Sequence, residues 1–339
     1  MTIKIKQEKH SMPIFKRWFM AINGCNVPDI ELADGITKWL VISRACVFTM
    51  TFTSGVIGVL LAAIYSQVNW WFASLCVIGL IIAHSANNLI NDYIDVKQGV
   101  DTEDYPRAQY SVHPLLGGLT TPKGLLQAAL ILNLIDGIIM IYLIIVRGPI
   151  VLGFALLGLF LSLTYTGILK RFGLGELTAF IVWGPLMIVG TAYVSSGDLS
   201  PEIWLNSLPY GLIVASVLVG KHIDKIEADK SVGVRSLPVV LGEKKSLALN
   251  KFFFLLFYVL ILGLVAFRIS SWGILFTFLA IRRLLMAWET YSKPKPESPP
   301  EEWTVWPLWY VGWAMYFNRQ AGEFFILGLL INLIIGYFI

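Results

Sequence analysis

From about residue 39 onward the chain is dominated by apolar residues, broken at short intervals. The unbroken runs lie at about 39–66, 70–95, 122–146, 148–169, 175–196, 201–222, 247–268, 272–291 and 319–339. Each is long enough, as a helix, to cross the ~30 Å hydrocarbon core of a bilayer. Connections marked by Gly, Pro or Asn separate them, and only Arg147-Gly148-Pro149 stands between the third and the fourth. The pattern predicts an all-α integral membrane protein with nine transmembrane helices. Residues 1–37 are mixed instead, with Lys4, Lys6, Lys9, Lys16 and Arg17 beside Ile14, Phe15, Trp18 and Phe19. That mixture predicts a basic amphipathic arm on the membrane surface, leaving 38–339 as a single transmembrane domain. The basic start lacks the short apolar run and small-residue cleavage site of a signal peptide, so the arm is expected to be retained.

Composition narrows the class. With 56% hydrophobic residues, 14% charged residues and a mean hydropathy of +0.70 over 339 residues, the chain has too little charge to cover a soluble surface. A net charge of +4, without a basic patch interleaved with aromatics, gives no reason to expect a nucleic-acid partner. Cys25, Cys46 and Cys76 are scattered with no CxxC pair, so neither a disulfide framework nor a zinc site is expected. His10, His84, His113 and His222 show no HxxxH pairing.

Loop charge sets the orientation. One set of loops carries Lys97, Arg107, Lys123, Lys170, Arg171, Lys221, Lys225, Lys230, Arg235, Lys244, Lys245, Arg282, Arg283, Lys293, Lys295 and Arg319. The opposite loops carry only Arg147 and Arg268. The positive-inside rule then places the N-terminus and the rich loops in the cytoplasm and the C-terminus outside.

The chemistry concentrates in Ala83–Asp104, where an apolar helix pattern acquires acids. His84, Asn88, Asp92 and Asp95 share one stripe of a helix, and Asn91 extends it sideways. An ionised Asp at the bilayer centre costs roughly 2.5–3.5 kcal/mol, so cations are the natural partners. Carboxylates with amide oxygens form a hard-oxygen site suited to Mg²⁺. The plain alternative is a helix ending here with solvated acids in its last turn. A second acid-bearing stretch, Gly220–Gly233, closes the sixth run four spans later, so both face the same side, as a parallel repeat of four helices would give. Two acid clusters on one face of a bundle can hold metal ions that neutralise a diphosphate leaving group.

These residues resemble the UbiA superfamily of intramembrane prenyltransferases, and more closely its 1,4-dihydroxy-2-naphthoate prenyltransferase (menaquinone) branch. Asn91-Asp92-Tyr93-Ile94-Asp95, with Gly99 and Asp101, is similar to that branch's NDxxDxxxGxD. His113–Pro122, Tyr165 through Lys170, Gly173–Glu176, Trp183-Gly184-Pro185 and Arg235–Gly242 resemble its later segments in the same order. The resemblance implies a nine-helix bundle around a central cavity, capped on the cytoplasmic side by the two acid-rich loops. It also implies that Mg²⁺ grips an isoprenyl diphosphate, whose allylic C–O bond ionises so that a small, usually aromatic acceptor attacks the carbocation. Carried over, Asn91 and Asp95 match the metal-binding pair, with Asp101 as the third acid and Asp92 adjacent. Arg107 falls near the diphosphate, and Tyr165 and Lys170 match a pair associated with the prenyl substrate. The plain readings are a solvated loop charge for Arg107 and a positive-inside anchor for Lys170.

The second motif departs from the branch's RDxxxD. It reads Asp224-Lys225-Ile226-Glu227-Ala228-Asp229, so the charge order is inverted. Asp224 and Asp229 stand about 140° apart on a helix and share a face only if it unwinds. The expectation is that Asp229, with Asp224 or Glu227, binds metal while Lys221 and Lys225 contact the diphosphate; a cytoplasmic ion-pair ladder is the alternative. Asp92, Asp95 and Asp229 are thus the expected catalytic acids, within a metal set that also takes in Asn88, Asn91, Asp101, Asp224 and Glu227. After a Pro-rich linker from Lys293, Trp303, Trp306, Trp309 and Trp313 recur at helical spacing and are expected to form an interfacial aromatic belt, with a gate over the acceptor's entry as the alternative.

The reading is a Mg²⁺-dependent prenyltransferase of a prokaryotic cell membrane, with an isoprenyl diphosphate and an acceptor such as dihydroxynaphthoate or 4-hydroxybenzoate. A glycerol-phosphate lipid, a porphyrin-type ring or another phenol are alternative acceptors. An ion-coupled transporter or a non-catalytic scaffold are the competing classes, although a transporter would place its acids mid-span on broken helices.

Overall fold

The computed structural model describes residues 12–338 apart from 168 and 302; the side chains of 166, 167, 170, 171, 337 and 338 also lie outside the described set. Lys4, Lys6, Lys9 and His10 of the arm therefore fall outside it. Every regular element among the described residues is helical. The chain runs α1 (Ile14–Gly24), α2 (Gly35–Ile42), α3 (Phe48–Tyr65), α4 (Trp70–Lys97), α5 (Pro106–Tyr110), α6 (Pro122–Arg147), α7 (Pro149–Gly167) and α8 (Gly175–Ile181). A π-helical turn, Val182–Val189, joins α8 to α9 (Gly190–Ser196). There follow α10 (Pro201–Ile223), α11 (Ile226–Ser231), α12 (Leu237–Leu241), α13 (Glu243–Ala266), a 3-10 segment Trp272–Ala280, α14 (Ile281–Thr290) and α15 (Tyr310–Phe338).

Local chemistry sets the boundaries. Asn69 caps α4 by accepting from the Trp71 and Phe72 N–H groups at 3.1 Å. Thr121 caps α6, whose first residue, Pro122, has no N–H to lose. Gly99, in the left-handed region at φ 71°, lets the chain turn away after α4.

Among the described residues seven helices are long and apolar enough to cross a membrane: Ala45–Tyr65, Trp70–Lys97, Pro122–Arg147, Gly175–Ser196, Pro201–Ile223, Glu243–Ala266 and Tyr310–Gly336. The other two expected spans take different forms. Residues 148–169 give a shorter apolar helix, Pro149–Tyr165, and 272–291 divide into the 3-10 segment and the amphipathic α14.

The most buried span is α10, packed between α13, α15, α3 and the kinked α8–α9 unit. Phe254, Phe257, Tyr258, Phe317 and Tyr291 fill the centre of that packing edge to face. The kink falls at Gly184-Pro185, where Gly184 leaves helical geometry. A Cβ on Gly184 would stand 3.0 Å from Gly211 Cα and 3.1 Å from the Ser207 carbonyl, so glycine is what lets the two backbones approach here. The kink also carries Trp183 to the inside of the bundle, where its carbonyl accepts from Ser54 Oγ at 2.6 Å.

The described part of the arm is tied to the bundle. Ala21, Val27, Ile30, Ala33 and Val41 form a small core against Val112 and Leu119, while Phe15 and Phe19 stay exposed. The Arg319 guanidinium, on α15, donates to the carbonyls of Asn23 at 3.1 Å and Cys46 at 2.8 Å, and reaches Ile22. Cys25 and Cys46 are joined in a disulfide, against the expectation of none. Their sequence separation hid the pairing; the fold brings the end of α1 back over the start of the first span.

Candidate active site

A cavity of about 640 Å³ opens inside the bundle. Its polar end is lined by Arg44, Asn87, Asn88, Asn91, Tyr165 and Lys221, and its apolar walls include Met50, Trp183, Leu218, Met286 and Met315. The polar end lies at the C-terminal ends of α4 and α10, where the two acid motifs sit.

The structure divides the first motif by role. Asp92 is fully buried and accepts from Arg107 Nε at 3.2 Å, from Arg107 Nη2 at 3.1 Å, and from Arg44 Nη2. His113 Nε2 approaches it to 3.6 Å and Asp101 to 3.3 Å, so Asp92, Asp101 and His113 form one buried group. Two guanidiniums balance its two carboxylates, which is how a buried acid pair is tolerated. Burial alone would raise the Asp101 pKa; the His113 hydrogen bond and the Arg44 charge outweigh it and hold that carboxyl below its usual value. Asp92, expected among the catalytic and metal-binding acids, is thus committed to the arginines that anchor α2, α4 and α5. Arg107, expected at the diphosphate, is committed to Asp92 and is 4% exposed. Asn88 faces the cavity but donates to the Ser43 carbonyl at 3.0 Å. Asn91 also lines the cavity, and Asp95 is half-buried one turn further on.

The second motif unwinds, as a shared face would require, yet the break turns Asp224 away. Its carboxylate accepts from the Tyr310 and Val311 N–H groups at 3.0 and 2.9 Å, capping α15. Burial pushes the Asp224 pKa up to about 7, against the lowering effect of those bonds. Glu227 is also outside the site: its side chain is 84% exposed and pairs with Lys230 at 2.7 Å, the solvated ion pair of the plain reading. Asp229 is the acid that turns inward. Fully buried, it accepts from the Tyr105 hydroxyl at 2.6 Å and from Ser236 Oγ at 3.1 Å. Lys225 Nζ sits 3.6 Å from it and 4.4 Å from the centre of the Tyr105 ring, so Lys225 is directed to this junction and not to the cavity wall. Lys221 does line the cavity.

Tyr105 therefore joins the two motifs. Burial raises its pKa first, and the Asp229 charge and hydrogen bond, with the Asp101 and Asp95 charges, raise it further. Carboxylates of both motifs thus act on one hydroxyl, Asp229 by direct contact. Tyr165 lines the cavity as expected, close against Gly175; the Lys170 side chain lies outside the described residues. The tryptophans do not form a belt at helical spacing. Pro307 breaks that spacing, α15 begins only at Tyr310, and Trp303 and Trp313 stack at 5.8 Å in the cavity wall.

Sequence reasoning passed over Arg44, Tyr105 and the buried pair His222–Glu176, whose Nδ1 and Oε1 lie 2.6 Å apart and brace α8 on α10. Arg44 had a signal: it is a lone charge inside an apolar run, which needs a partner in lipid. Tyr105 had none.

The UbiA prenyltransferase family model matches residues 50–311, most of the chain and both motifs. The chain belongs to the UbiA prenyltransferase family. As a member it is a prenyltransferase, an enzyme embedded in the membrane. It is 25% identical over 305 residues to the 1,4-dihydroxy-2-naphthoate octaprenyltransferase of Bacillus subtilis, covering 88% of this chain and 92% of that protein. It is 27% identical to the digeranylgeranylglyceryl phosphate synthase of Natronomonas pharaonis, over 51% of this chain and 58% of that one. The fold matches that of a UbiA homolog from Aeropyrum pernix K1 with a TM-score of 0.63 and 21% identity, covering 84% of this chain and 97% of the other. A UbiA homolog from Archaeoglobus fulgidus bound to GPP and Mg²⁺ matches with a TM-score of 0.54 and 11% identity, covering 85% and 99%.

Proposed function

We propose that this UbiA-family enzyme transfers an isoprenyl group from an isoprenyl diphosphate to a small aromatic acceptor of the 1,4-dihydroxy-2-naphthoate or 4-hydroxybenzoate type, with Mg²⁺ at the diphosphate. The observation that carries this reading is the junction of the two acid motifs through Tyr105 and Asp229, beside the polar end of an otherwise apolar cavity. The donor chemistry suits the metal: Asn91, on the cavity wall, and the half-buried Asp95 offer hard oxygens, while the buried Asp229 and Asp101 add negative charge around Tyr105. When bound, Mg²⁺ would supply positive charge to the departing diphosphate.

The chain's own residues do the rest. Arg44 and Lys221 line the end of the cavity where negative charge grows as the allylic C–O bond breaks, and fixed cations there favour the ionised state. The apolar walls hold the isoprenyl tail and keep water from the carbocation. Tyr165, on the cavity wall, offers a π face to the developing cation. Asp224 and Glu227 have no part in this reading, and Asp92 and Arg107 act by positioning α4.

We further infer nine spans, with Pro149–Tyr165 and the Trp272–Thr290 unit as the two short ones, and cytoplasmic motifs, as the basic loops require. The likeness to the Bacillus enzyme across most of both chains favours the dihydroxynaphthoate acceptor. The test is an assay of purified protein with geranyl to octaprenyl diphosphates against dihydroxynaphthoate, 4-hydroxybenzoate and a glycerol-phosphate lipid, with and without chelator, reading product mass. Prenylated naphthoate formed only with Mg²⁺ is expected. Turnover unaffected by chelation would refute the metal assignment, and transfer confined to the lipid would refute the acceptor.

A further inference from the structure

His84 lies one turn of α4 before Asn88, deeper in the bundle, and lines the cavity. It is 9% exposed, and its ring is held between Phe48 at 5.3 Å and Trp183 at 5.4 Å, the latter edge-on. Nδ1 stands 2.7 Å from Thr51 Oγ1, which already accepts the Trp183 indole N–H at 3.0 Å. The hydroxyl hydrogen of Thr51 is therefore available to His84 Nδ1, and the imidazole's own hydrogen falls on Nε2. Among the described residues nothing bonds Nε2, which leaves it as the polar atom that His84 can offer to the cavity it lines.

A hydrocarbon tail gives such a donor no partner, and a buried N–H without one is costly. An oxygen on a second ligand satisfies it. The depth agrees: His84 is two turns, about 10 Å along the axis, from Asn91. The first carbon of the isoprenyl group stands next to the diphosphate, and the ring that attacks it must lie just beyond.

We propose that His84 recognises the aromatic acceptor. Its Nε2–H donates to a ring hydroxyl or carboxylate oxygen, with Phe48 and Trp183 as aromatic walls and the Thr51 hydrogen bonds fixing the tautomer. The site selects oxygenated aromatic rings over apolar ones, because a ring without that oxygen leaves the imidazole unpaired. The identity of the ligand rests on the prenyltransferase reading; the polar edge in the cavity does not.

The experiment uses the full chain in detergent or nanodiscs, with geranyl diphosphate, Mg²⁺ and 1,4-dihydroxy-2-naphthoate. His84→Phe keeps a ring without a donor, and His84→Gln keeps an N–H close to Nε2. His84→Phe is expected to raise the acceptor KM roughly tenfold or more while the geranyl diphosphate KM moves less than about twofold, and His84→Gln to recover most of the loss. A rise in the geranyl diphosphate KM with the acceptor KM unchanged, or no change in either, overturns the proposal. A calorimetric titration of dihydroxynaphthoate into protein without diphosphate separates the two readings. Binding weakened by His84→Phe with no prenyl transfer in any variant would sink the transfer reading and leave His84 as an aromatic-acid site. Equal binding in both proteins, or none in the wild type, overturns the His84 assignment itself.

Discussion

The Tyr105 hydroxyl donates a 2.6 Å hydrogen bond to Asp229, a residue 124 positions away in the other acid motif. Three elements converge on it: the loop after α4, the short helix α11, and the Arg235-Ser236 segment, whose Ser236 hydroxyl holds the second oxygen of Asp229. Each half of the site is set by the other.

Removing that link has a readable effect. Tyr105→Phe deprives a fully buried carboxylate of one donor, and hydrogen bonds to charged groups contribute ~1.5–3 kcal/mol. A fall in kcat/KM of roughly tenfold or more, with a higher Mg²⁺ concentration for half-maximal rate, is expected from steady-state assays. Wild-type kinetics would mean that the two motifs act independently.

Asp92 and Asp95 should separate by phenotype. Asp92→Ala leaves Arg44 and Arg107 facing each other in a buried site, and loss of one partner of such a group costs ~3–5 kcal/mol. Thermal melts should show a large loss of stability or no folded protein. Asp95→Ala should melt much closer to wild type yet lose Mg²⁺-dependent turnover. A stable, inactive Asp92→Ala would return Asp92 to the metal set.

Asp224 gives a pH dependence whose sign follows from its raised pKa. A folded value of about 7, against 3.8 for an ordinary Asp, means the native state holds a proton that the unfolded chain has released. Between about pH 4 and pH 7 this group's contribution to stability declines as pH rises, and above that window it is flat. Denaturation across pH should show a slope in the wild type that Asp224→Asn lacks. A slope kept by the variant assigns it elsewhere. Asp224→Ala strips the cap from α15 and should cost ~1–3 kcal/mol.

The crossing of α10 with the kinked helix tolerates no side chain. In Gly184→Ala the new Cβ meets Gly211 Cα and the Ser207 carbonyl, both backbone, so the helices must part. Overpacking of this kind costs ~1–3 kcal/mol. Because Trp183 precedes the kink, activity should fall more than stability alone explains, measured against a similarly destabilised variant elsewhere.

Much of this was legible in the sequence. Hydrophobic runs located the long helices, because lipid forces each span to satisfy its own backbone. The acids declared themselves by their cost in an apolar context, and Asn91, Tyr165 and Lys221 are found on the cavity wall. What the sequence hid was direction. Asp92 and Asn91 are adjacent, yet one points at two arginines and the other into the cavity. Asp224 and Asp229 both follow α10, but a two-residue break sends one to cap α15 and the other to Tyr105. Spacing fixes a face only while the helix continues, and here it does not. Partners distant in sequence, such as Cys25 with Cys46, leave no periodic trace.

Arg319 draws the surface arm and the final span together by holding backbone oxygens of Asn23 and Cys46. Asn23, Gly24 and Cys25, a piece of chain that lies outside the spans, are therefore held as part of the cavity wall. On the transfer reading proposed above, detaching that segment would admit solvent to a cation that survives only where water is excluded. Isoprenoid alcohol would then accumulate at the expense of the coupled product, which would tie the fidelity of the reaction to a clasp between the arm and the last span.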